Sequence, residues 1–123
     1  MKKTNHKIID AKTIDASGRT LGRVASEAAL SLMGKTKATF ERNKYSGMPV
    51  LITNASLLRI TPKKLAEIYH TRYSGIPGGL RIISGTETAS KQGLKELIKL
   101  ATYQMLPDNK LRREMMKNLK IED

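Results

Sequence analysis

The stretch that most constrains the fold is residues 14–40, IDASGRTLGRVASEAALSLMGKTKATF. It begins as the end of a strand, turns at a Ser-Gly pair, and continues into one amphipathic helix predicted over residues 20–33. Thr20 is a favourable N-cap, because its hydroxyl can accept from the free N–H groups of the first turn. Gly34 follows the last apolar residue, where a left-handed residue ends many helices. The apolar stripe of the helix consists of Leu21, Val24, Ala25, Ala28, Ala29 and Leu32.

The net charge is the second constraint. The 123 residues carry a formal charge of +12, with a pI near 10.1. So large an excess of cations repels itself in a compact domain, which predicts a polyanionic partner. The cations are spread over several predicted loops and helix faces, which favours a folded nucleic-acid-binding body over a core with one basic tail. No helix pairs a lysine-rich face with bulky aromatics, so we expect no membrane partner.

The length and composition predict one domain over residues 1–123, with a mostly aliphatic core because there is no Trp. Residues 1–6 are polar and basic, and we expect them to be flexible. The absence of Cys excludes disulfides, thiolate metal sites and cysteine nucleophiles. No apolar run is long enough to span a bilayer and no secretory signal begins the chain, so we expect a cytoplasmic protein.

The remaining pattern predicts an α/β domain with a small, largely parallel sheet. Residues 50–52 form a continuous apolar run, typical of a strand buried on both faces of a parallel sheet. Further strands are predicted at residues 8–14, 57–60 and 68–73, and the glycines of residues 74–79 predict an exposed loop. Helices are predicted from Pro62, from Ser84 through a capping box with Glu87, from Leu94 to just before Met105, and from a cap at Asp108 through Leu119.

No catalytic or metal-binding constellation is recognisable. Gly18 and Gly22 lie between strand and helix, but they match neither GxGxxG nor GxxxxGK[ST]. His6 and His70 are the only histidines, and neither has the neighbouring carboxylates or cysteines of a zinc site. The acids show no paired spacing for acid–base catalysis, and Asp15 is interpreted as a hydrogen-bond acceptor at the turn. We therefore predict no enzyme, no metal, no cofactor and no small-molecule substrate.

The candidate RNA contacts are cations on helix ends, loops and one helix face. The last predicted helix carries a row that can follow a phosphate backbone, namely Arg113, Lys117 and Lys120 with Arg112 beside them. The glycine-rich loop lies between two arginines and allows the backbone to approach RNA closely. The full predicted set is Arg19, Arg23, Lys35, Lys37, Lys63, Lys64, Arg72, Gly75, Gly78, Gly79, Arg81, Lys110, Arg112, Arg113, Lys117 and Lys120.

Five sequence landmarks occur in order between residues 14 and 121. They are DASGRTLGR at 15–23, GKTKATF at 34–40, NA at 54–55, SGIPGGL at 74–80, and MLP at 105–107 with LKI at 119–121. On these landmarks the chain resembles the L-thirteen family of bacterial-type large-subunit ribosomal proteins. Departures from the family pattern lie at Met48, Tyr73, Gln104 and Arg112, where the family commonly has Asp, His, Gly and Gly.

The resemblance implies a three-layer α/β/α fold around a small parallel sheet. It also implies binding to large-subunit ribosomal RNA beside neighbouring ribosomal proteins, a role early in subunit assembly, and no enzymatic activity. The RNA-contact positions that the matching motifs carry over are Arg23, Lys35, Lys37, Gly75, Gly78, Gly79, Arg113 and Lys120.

Two other interpretations of the sequence are weighed against this one. A nucleotide-dependent enzyme could use the strand–turn–helix at residues 15–22, but the phosphate fingerprint and catalytic pairs are missing. A free-standing DNA-binding module would be expected to show a helix-turn-helix, a zinc pattern or a basic segment joined to heptads, and none of these signatures is present.

Overall fold

The computed structural model describes residues 11–45 and 47–123. The flexible segment predicted at residues 1–6, and the part of the first predicted strand before residue 11, lie outside the described residues. The helices are α1 (Leu21–Met33), α2 (Pro62–Glu67), α3 (Gly85–Gln92), α4 (Leu94–Met105) and α5 (Leu111–Lys117). The strands are β1 (Lys12–Asp15), β2 (Val50–Thr53), β3 (Tyr69–Tyr73), β4 (Leu80–Ser84) and β5 (Leu119–Ile121).

The central sheet has three parallel strands in the order β1-β2-β5. Ile14 of β1 is the register partner of Ile52 of β2, which is in turn the partner of Ile121 of β5. Val50 and Ile52 are buried while the alternate residues of β2 are half-buried, so the strand is more protected on one face than on the other. The prediction of an α/β fold around a small, parallel central sheet is confirmed.

Helix α1 supplies the surface on which this sheet and α4 pack. The predicted stripe is correct, because Val24, Ala28 and Leu32 are fully buried in the core beside Ile14 and Ile52. Each large aliphatic side chain buried in this way contributes roughly 1.5–3 kcal/mol. The abundant alanines lack bulk, which lets α1 and α4 approach closely.

The ends of α1 match the prediction in one respect and not in the other. Gly34 has φ 79° and its N–H group bonds to the carbonyls of Leu30 and Ser31, so it ends the helix in the left-handed conformation as expected. Thr20 occupies the N-cap position with an extended backbone, but its side chain makes no capping hydrogen bond.

Strands β3 and β4 form a separate antiparallel hairpin whose loop has the predicted glycines at its turns. Gly75 and Gly78 have φ near 84° and 80°, a region that residues with a Cβ rarely adopt. The N–H group of Gly79 donates to the carbonyl of Ile76 at 2.9 Å, which closes the loop. The strand from Leu80 to Ser84 was not predicted from the sequence.

Three predicted elements are wrong in detail. Residues 57–60 do not form a strand. Asn54 has φ 56° and is followed by a 3-10 turn at Ala55–Leu57. After this turn, Arg59 forms an isolated bridge to Thr20. Helix α4 continues through Met105 instead of ending before it. Helix α5 ends at Lys117 because Leu119–Ile121 pairs with β2, and so Lys120 lies on a strand and not on the predicted helical row.

The caps of the shorter helices are made by side chains close to the predicted positions. The Thr61 hydroxyl accepts from the Lys64 N–H at the start of α2, and the Ser84 hydroxyl accepts from the Glu87 N–H at the start of α3. At α5 the side chain that accepts from the first turn belongs to Asn109 and not to the predicted Asp108.

Candidate nucleic-acid interface

The turn between β1 and α1 uses its backbone donors internally. The Asp15 carboxylate accepts from the Ser17 N–H at 2.9 Å and from the Asn54 side chain at 3.0 Å, as predicted for an acceptor at this turn. The next N–H groups donate to the carbonyls of Leu57 and Ala16. A phosphate-binding loop needs such N–H groups to point at its ligand, so this turn does not have the geometry of a nucleotide site.

The hydrogen bonds at the turn also affect Asp15 itself. The bond from Asn54, followed by the one from the Ser17 N–H, lowers the pKa of the Asp15 carboxyl below its ordinary value. These two hydrogen bonds make Asp15 a structural acceptor at the turn.

The first cationic patch surrounds the start of α1 and is called the helix-start patch: Arg19, Arg23 and Arg59. Arg19 is partly neutralised, because its guanidinium lies 2.7 Å from a Glu27 oxygen and Lys12 reaches the same carboxylate at 3.3 Å. The hydrogen bond from Arg19 lowers the pKa of Glu27. Among the described residues Arg23 has no ion-pair partner and is exposed.

Arg59 was missed from the sequence because it was assigned to a strand. Its N–H group donates to the Arg19 carbonyl at 3.0 Å, which places the two residues side by side. Only this long-range pairing brings Arg59 to the helix start, so no local pattern could have identified it.

The second patch is a shallow groove of about 890 Å³ between α4 and α5, called the α4–α5 groove. Four of its lining cations are Lys99, Lys110, Arg113 and Lys117, all of which are exposed. Glu114 and Asp108 are the acids in the same lining, so cations outnumber acids. Three of these four cations were predicted; Lys99 was missed, although its spacing of four from Lys95 on a helix could have indicated it.

Arg112 lies in the lining of this groove but is held by its own chain. Its guanidinium carbon is 4.1 Å from the centre of the Tyr103 ring, and its terminal nitrogens reach Asp108 and the Leu106 carbonyl at 3.3 and 3.4 Å. Only 17% of the side chain is exposed. The structure therefore gives Arg112 a role in joining α4 to α5.

The loop after α1 borders this groove. Lys35 and Lys37 are both exposed, and Lys35 lines a recess together with Arg42, Lys44 and Asn109. Asn109 also lines the α4–α5 groove, so the loop and the groove adjoin at this residue. The sequence could not show this proximity, because about 70 residues separate the two segments.

The third patch is the tip of the β3–β4 hairpin, called the hairpin tip. Arg72 and Arg81 are direct register partners and line a recess of about 460 Å³ with Tyr73, Ser74, Gly78 and Gly79. A Cβ on Gly79 would meet the Ser74 hydroxyl, so a larger residue here would require that side chain to shift. A Cβ on Gly75 or Gly78 would meet no described atom within 4 Å, and their backbones are accordingly open to approach.

The remaining predicted cations lie apart from these patches. Lys63 and Lys64 are exposed in the first turn of α2. Lys120 is exposed on β5 and pairs with Glu122 at 2.9 Å. Lys63, Lys64 and Lys120 therefore lie outside the three patches, while Lys35 and Lys37 lie on the loop that borders the α4–α5 groove.

Within residues 11–45 and 47–123 no three acidic, histidine or cysteine side chains are grouped so that they could hold a metal ion. None of the helices in this part of the chain has the length and apolar character needed to cross a membrane.

Comparison with known proteins decides the family. The family described as ribosomal protein L13 matches residues 10–121. The chain belongs to this family. The resemblance inferred from the five landmarks is thereby confirmed, and so is the prediction that the chain is not an enzyme, since the family consists of structural ribosomal proteins.

Relatives from several bacteria match almost the whole chain. The chain is 44% identical over 109 residues to the large ribosomal subunit protein uL13 of Natranaerobius thermophilus, covering 89% of this chain and 76% of the relative. The protein of the same name from Pelobacter propionicus is 44% identical over 108 residues, with 88% and 75% covered. That from Moorella thermoacetica is 42% identical over 108 residues, with 88% and 74% covered.

Proposed function

We propose that this chain is a structural component of the large ribosomal subunit that binds large-subunit ribosomal RNA. The observation that carries the proposal is the clustering of exposed cations in the α4–α5 groove, at the helix start and at the hairpin tip. Such clusters repel themselves in the free protein and are stabilised when phosphates replace the counterions. The names and similarity of the uL13 relatives support the same partner.

The proposed binding mode relies on phosphate position and RNA shape more than on base identity. Lysine and arginine on grooves and helix ends contact phosphates without reading sequence, which suits a protein that fits between converging RNA segments. Neighbouring large-subunit proteins and a role early in assembly belong to the same proposal. The cytoplasmic location expected from the sequence follows from it, as the place where bacterial ribosomes work.

The decisive experiment follows the protein through a sucrose gradient of native lysate at low and at high salt. We expect it to sediment with the large subunit and to remain there at high salt, as a component held through several patches at once would. A protein that stays at the top of both gradients would contradict the proposal.

A second experiment isolates RNA binding. Purified protein is titrated with protein-free large-subunit ribosomal RNA at several salt concentrations, and Lys35 and Lys37 are then changed together to Glu. The variant should bind more weakly, and the dependence of log affinity on log salt should become less steep by about two phosphate contacts. Equal affinity and equal slope in an equally stable variant would remove the loop after α1 from the RNA contacts.

A further inference from the structure

The β3–β4 hairpin carries apolar side chains that the described fold does not cover. Because β-strand side chains alternate between faces, the register places Tyr69, Thr71 and Tyr73 of β3 on the same face as Leu80 and Ile82 of β4. All five are exposed, and the four large ones have exposed fractions of 65% for Tyr69, 66% for Tyr73, 58% for Leu80 and 67% for Ile82. This set is called the outer face of the hairpin.

The opposite face is the one that packs on the protein. His70 and Ile83 are half-buried and line a cavity of about 290 Å³ with Thr88 of α3 and Leu100 of α4. The exposed Arg72 and Arg81 lie on this same face, nearer the tip, and Arg72 also lines the cavity. The hairpin is therefore anchored by this inner face. Burial of the outer-face rings is not needed to hold the hairpin in place.

Several adjacent large apolar side chains on one exposed surface usually mark a contact with a partner. The chemistry of the hairpin points to the kind of partner. Residues 69–84 contain Arg72 and Arg81 and no Asp or Glu, so the hairpin itself carries only positive charge, and it carries it on the face opposite the rings. Exposed aromatic rings with cations within reach are a means by which proteins stack unpaired RNA bases and hold their phosphates.

The recess at the hairpin tip brings these groups together. Tyr73, Arg72 and Arg81 all line the same concavity of about 460 Å³, within the range of about 300–1,000 Å³ typical of small-ligand sites. Tyr69 lies four residues before Tyr73 on the same strand, about 13 Å away along the chain. The two rings are thus separate stacking surfaces, of which only Tyr73 shares a recess with the arginines.

We propose that the outer face of the β3–β4 hairpin binds unpaired bases of RNA. One base stacks on Tyr73 while its phosphates reach, round the hairpin tip, Arg72 and Arg81, which belong to the opposite face and line the same recess. A second base stacks on Tyr69. This inference rests on the proposed function, because it presumes that the chain binds ribosomal RNA. It adds that the hairpin recognises extruded or single-stranded nucleotides and not the backbone of a duplex.

The test uses the whole chain and protein-free large-subunit ribosomal RNA. In the Leu pair, Tyr69→Leu with Tyr73→Leu, the apolar surface is kept and the aromatic rings are lost. The matched control is the Phe pair, Tyr69→Phe with Tyr73→Phe, in which the rings are kept and the hydroxyls are lost. Both side chains are largely exposed, so both pairs should unfold at the same denaturant concentration as the parent protein.

The Leu pair should bind roughly a hundredfold more weakly, because each of the two lost stacks weakens binding by about tenfold. The slope of log affinity against log salt should not change, since no charge has been removed. The Phe pair should bind like the parent. These three results together support base stacking.

Two results would overturn the inference while leaving the proposed function intact. If the parent protein binds the RNA and the Leu pair binds equally well, the outer face contacts something other than bases, such as a neighbouring protein. If the Phe pair weakens binding as much as the Leu pair, the hydroxyls and not the rings make the contact. Failure of the parent protein to bind the RNA would instead reject the proposed function, and the inference with it.

Discussion

The parallel-sheet body and the β3–β4 hairpin contain the same kinds of aliphatic residue but expose them differently. In the body, Ile14 and Ile52 are almost completely buried between α1 and the sheet. In the hairpin, Leu80 and Ile82 are more than half exposed. An aliphatic side chain stabilises the fold only through the area that it removes from water, so the hairpin residues contribute little to the stability of the free chain.

The charges of the two regions differ in the same way. In the body, Lys12 and Arg19 share the Glu27 carboxylate, and Asp15 is satisfied by Asn54. In the hairpin, Arg72 is paired in register with Arg81, and no acid occurs between residues 69 and 84. The Glu27 and Asp15 carboxylates of the body are thus satisfied within the chain, whereas the hairpin contains cations and no acid of its own to pair with them.

The largest effect expected from this comparison is on stability. Ile52→Ala removes a fully buried side chain from the central strand and should lower the free energy of unfolding by about 2–5 kcal/mol, because it leaves a cavity. The matched control Ile82→Ala truncates the same side chain on the outer face of the hairpin and should cost less than about 1 kcal/mol. Urea unfolding measures both. Equal losses would show that the two regions do not differ as described.

The next effect is on RNA binding by the α4–α5 groove. Changing Lys99, Arg113 and Lys117 together to Gln should weaken binding to ribosomal RNA and reduce its salt slope by about two to three. The reason is that these exposed cations are free to contact phosphates.

The control for the groove variant removes three cations that already have carboxylate partners. Lys12, Lys91 and Lys95 pair with Glu27, Glu87 and Asp123. Changing these three lysines to Gln lowers the net charge by the same amount and should change the slope much less. If both variants lose the same slope, net charge and not the groove governs binding.

The elements predicted from sequence are those whose signals are local. Helix α1 has its apolar stripe and its terminal glycine within fifteen residues, and β2 is a continuous apolar run. Strand β5 was absorbed into the preceding helix because Leu119 continues the four-residue spacing of that helix. Only pairing with β2, about 70 residues away, makes this segment extended.

The candidate site was likewise predictable only where its signals are local in the sequence. Exposed cations beside glycines or on a helix face, such as Lys35 and Arg113, can be identified from sequence alone. The proximity of Arg59 to Arg19, and the internal use of Arg112 against Tyr103, depend on tertiary contacts that no local spacing reports. The sequence therefore identifies the cations, but it does not show which of them remain available to bind RNA, because that depends on tertiary contacts.

A smaller effect is expected from the opposed arginines of the hairpin. Like charges directly opposite on neighbouring strands are destabilising, so Arg72→Gln should stabilise the hairpin of the free protein by about 0.2–1 kcal/mol at low salt. The same change should weaken RNA binding, because a phosphate contact is lost. Native-state hydrogen exchange of the hairpin amides measures the first effect, and RNA titration the second.

The Arg72→Gln experiment is informative because the change should raise the stability of the hairpin and lower its affinity for RNA. The gain in protection should disappear at high salt, where the repulsion is screened. Lys95→Gln, which removes a cation that is paired with Asp123, is the control and should not protect the hairpin. A hairpin that becomes less stable in Arg72→Gln would mean that the arginine contributes packing to the fold, and the contrast with the body would be weaker.

The smallest expected effect is on the pH dependence of stability, and it arises from Asp15 in the parallel-sheet body. The pKa of Asp15 is lowered by its hydrogen bonds, so near pH 3–4 the folded protein binds fewer protons at this group than the unfolded chain does. Asp15 therefore contributes stability that is present above its unfolded pKa of about 3.9 and is lost as the pH falls through the lower folded value. Asp15→Asn should give a shallower loss of stability between pH 5 and pH 3, measured by urea unfolding.

The control for Asp15 is Asp108→Asn, an exposed acid at the start of α5 whose partner Arg112 is also held by Tyr103. It removes the same formal charge without touching the Asn54 bond, so the difference between the two variants isolates that bond. If Asp15→Asn instead follows the parent curve, the hydrogen bond from Asn54 does not make the pKa of Asp15 differ between the folded and the unfolded protein. The Asp15 carboxylate would then accept hydrogen bonds without adding stability. The contrast between the body and the hairpin would rest mainly on the burial of apolar side chains.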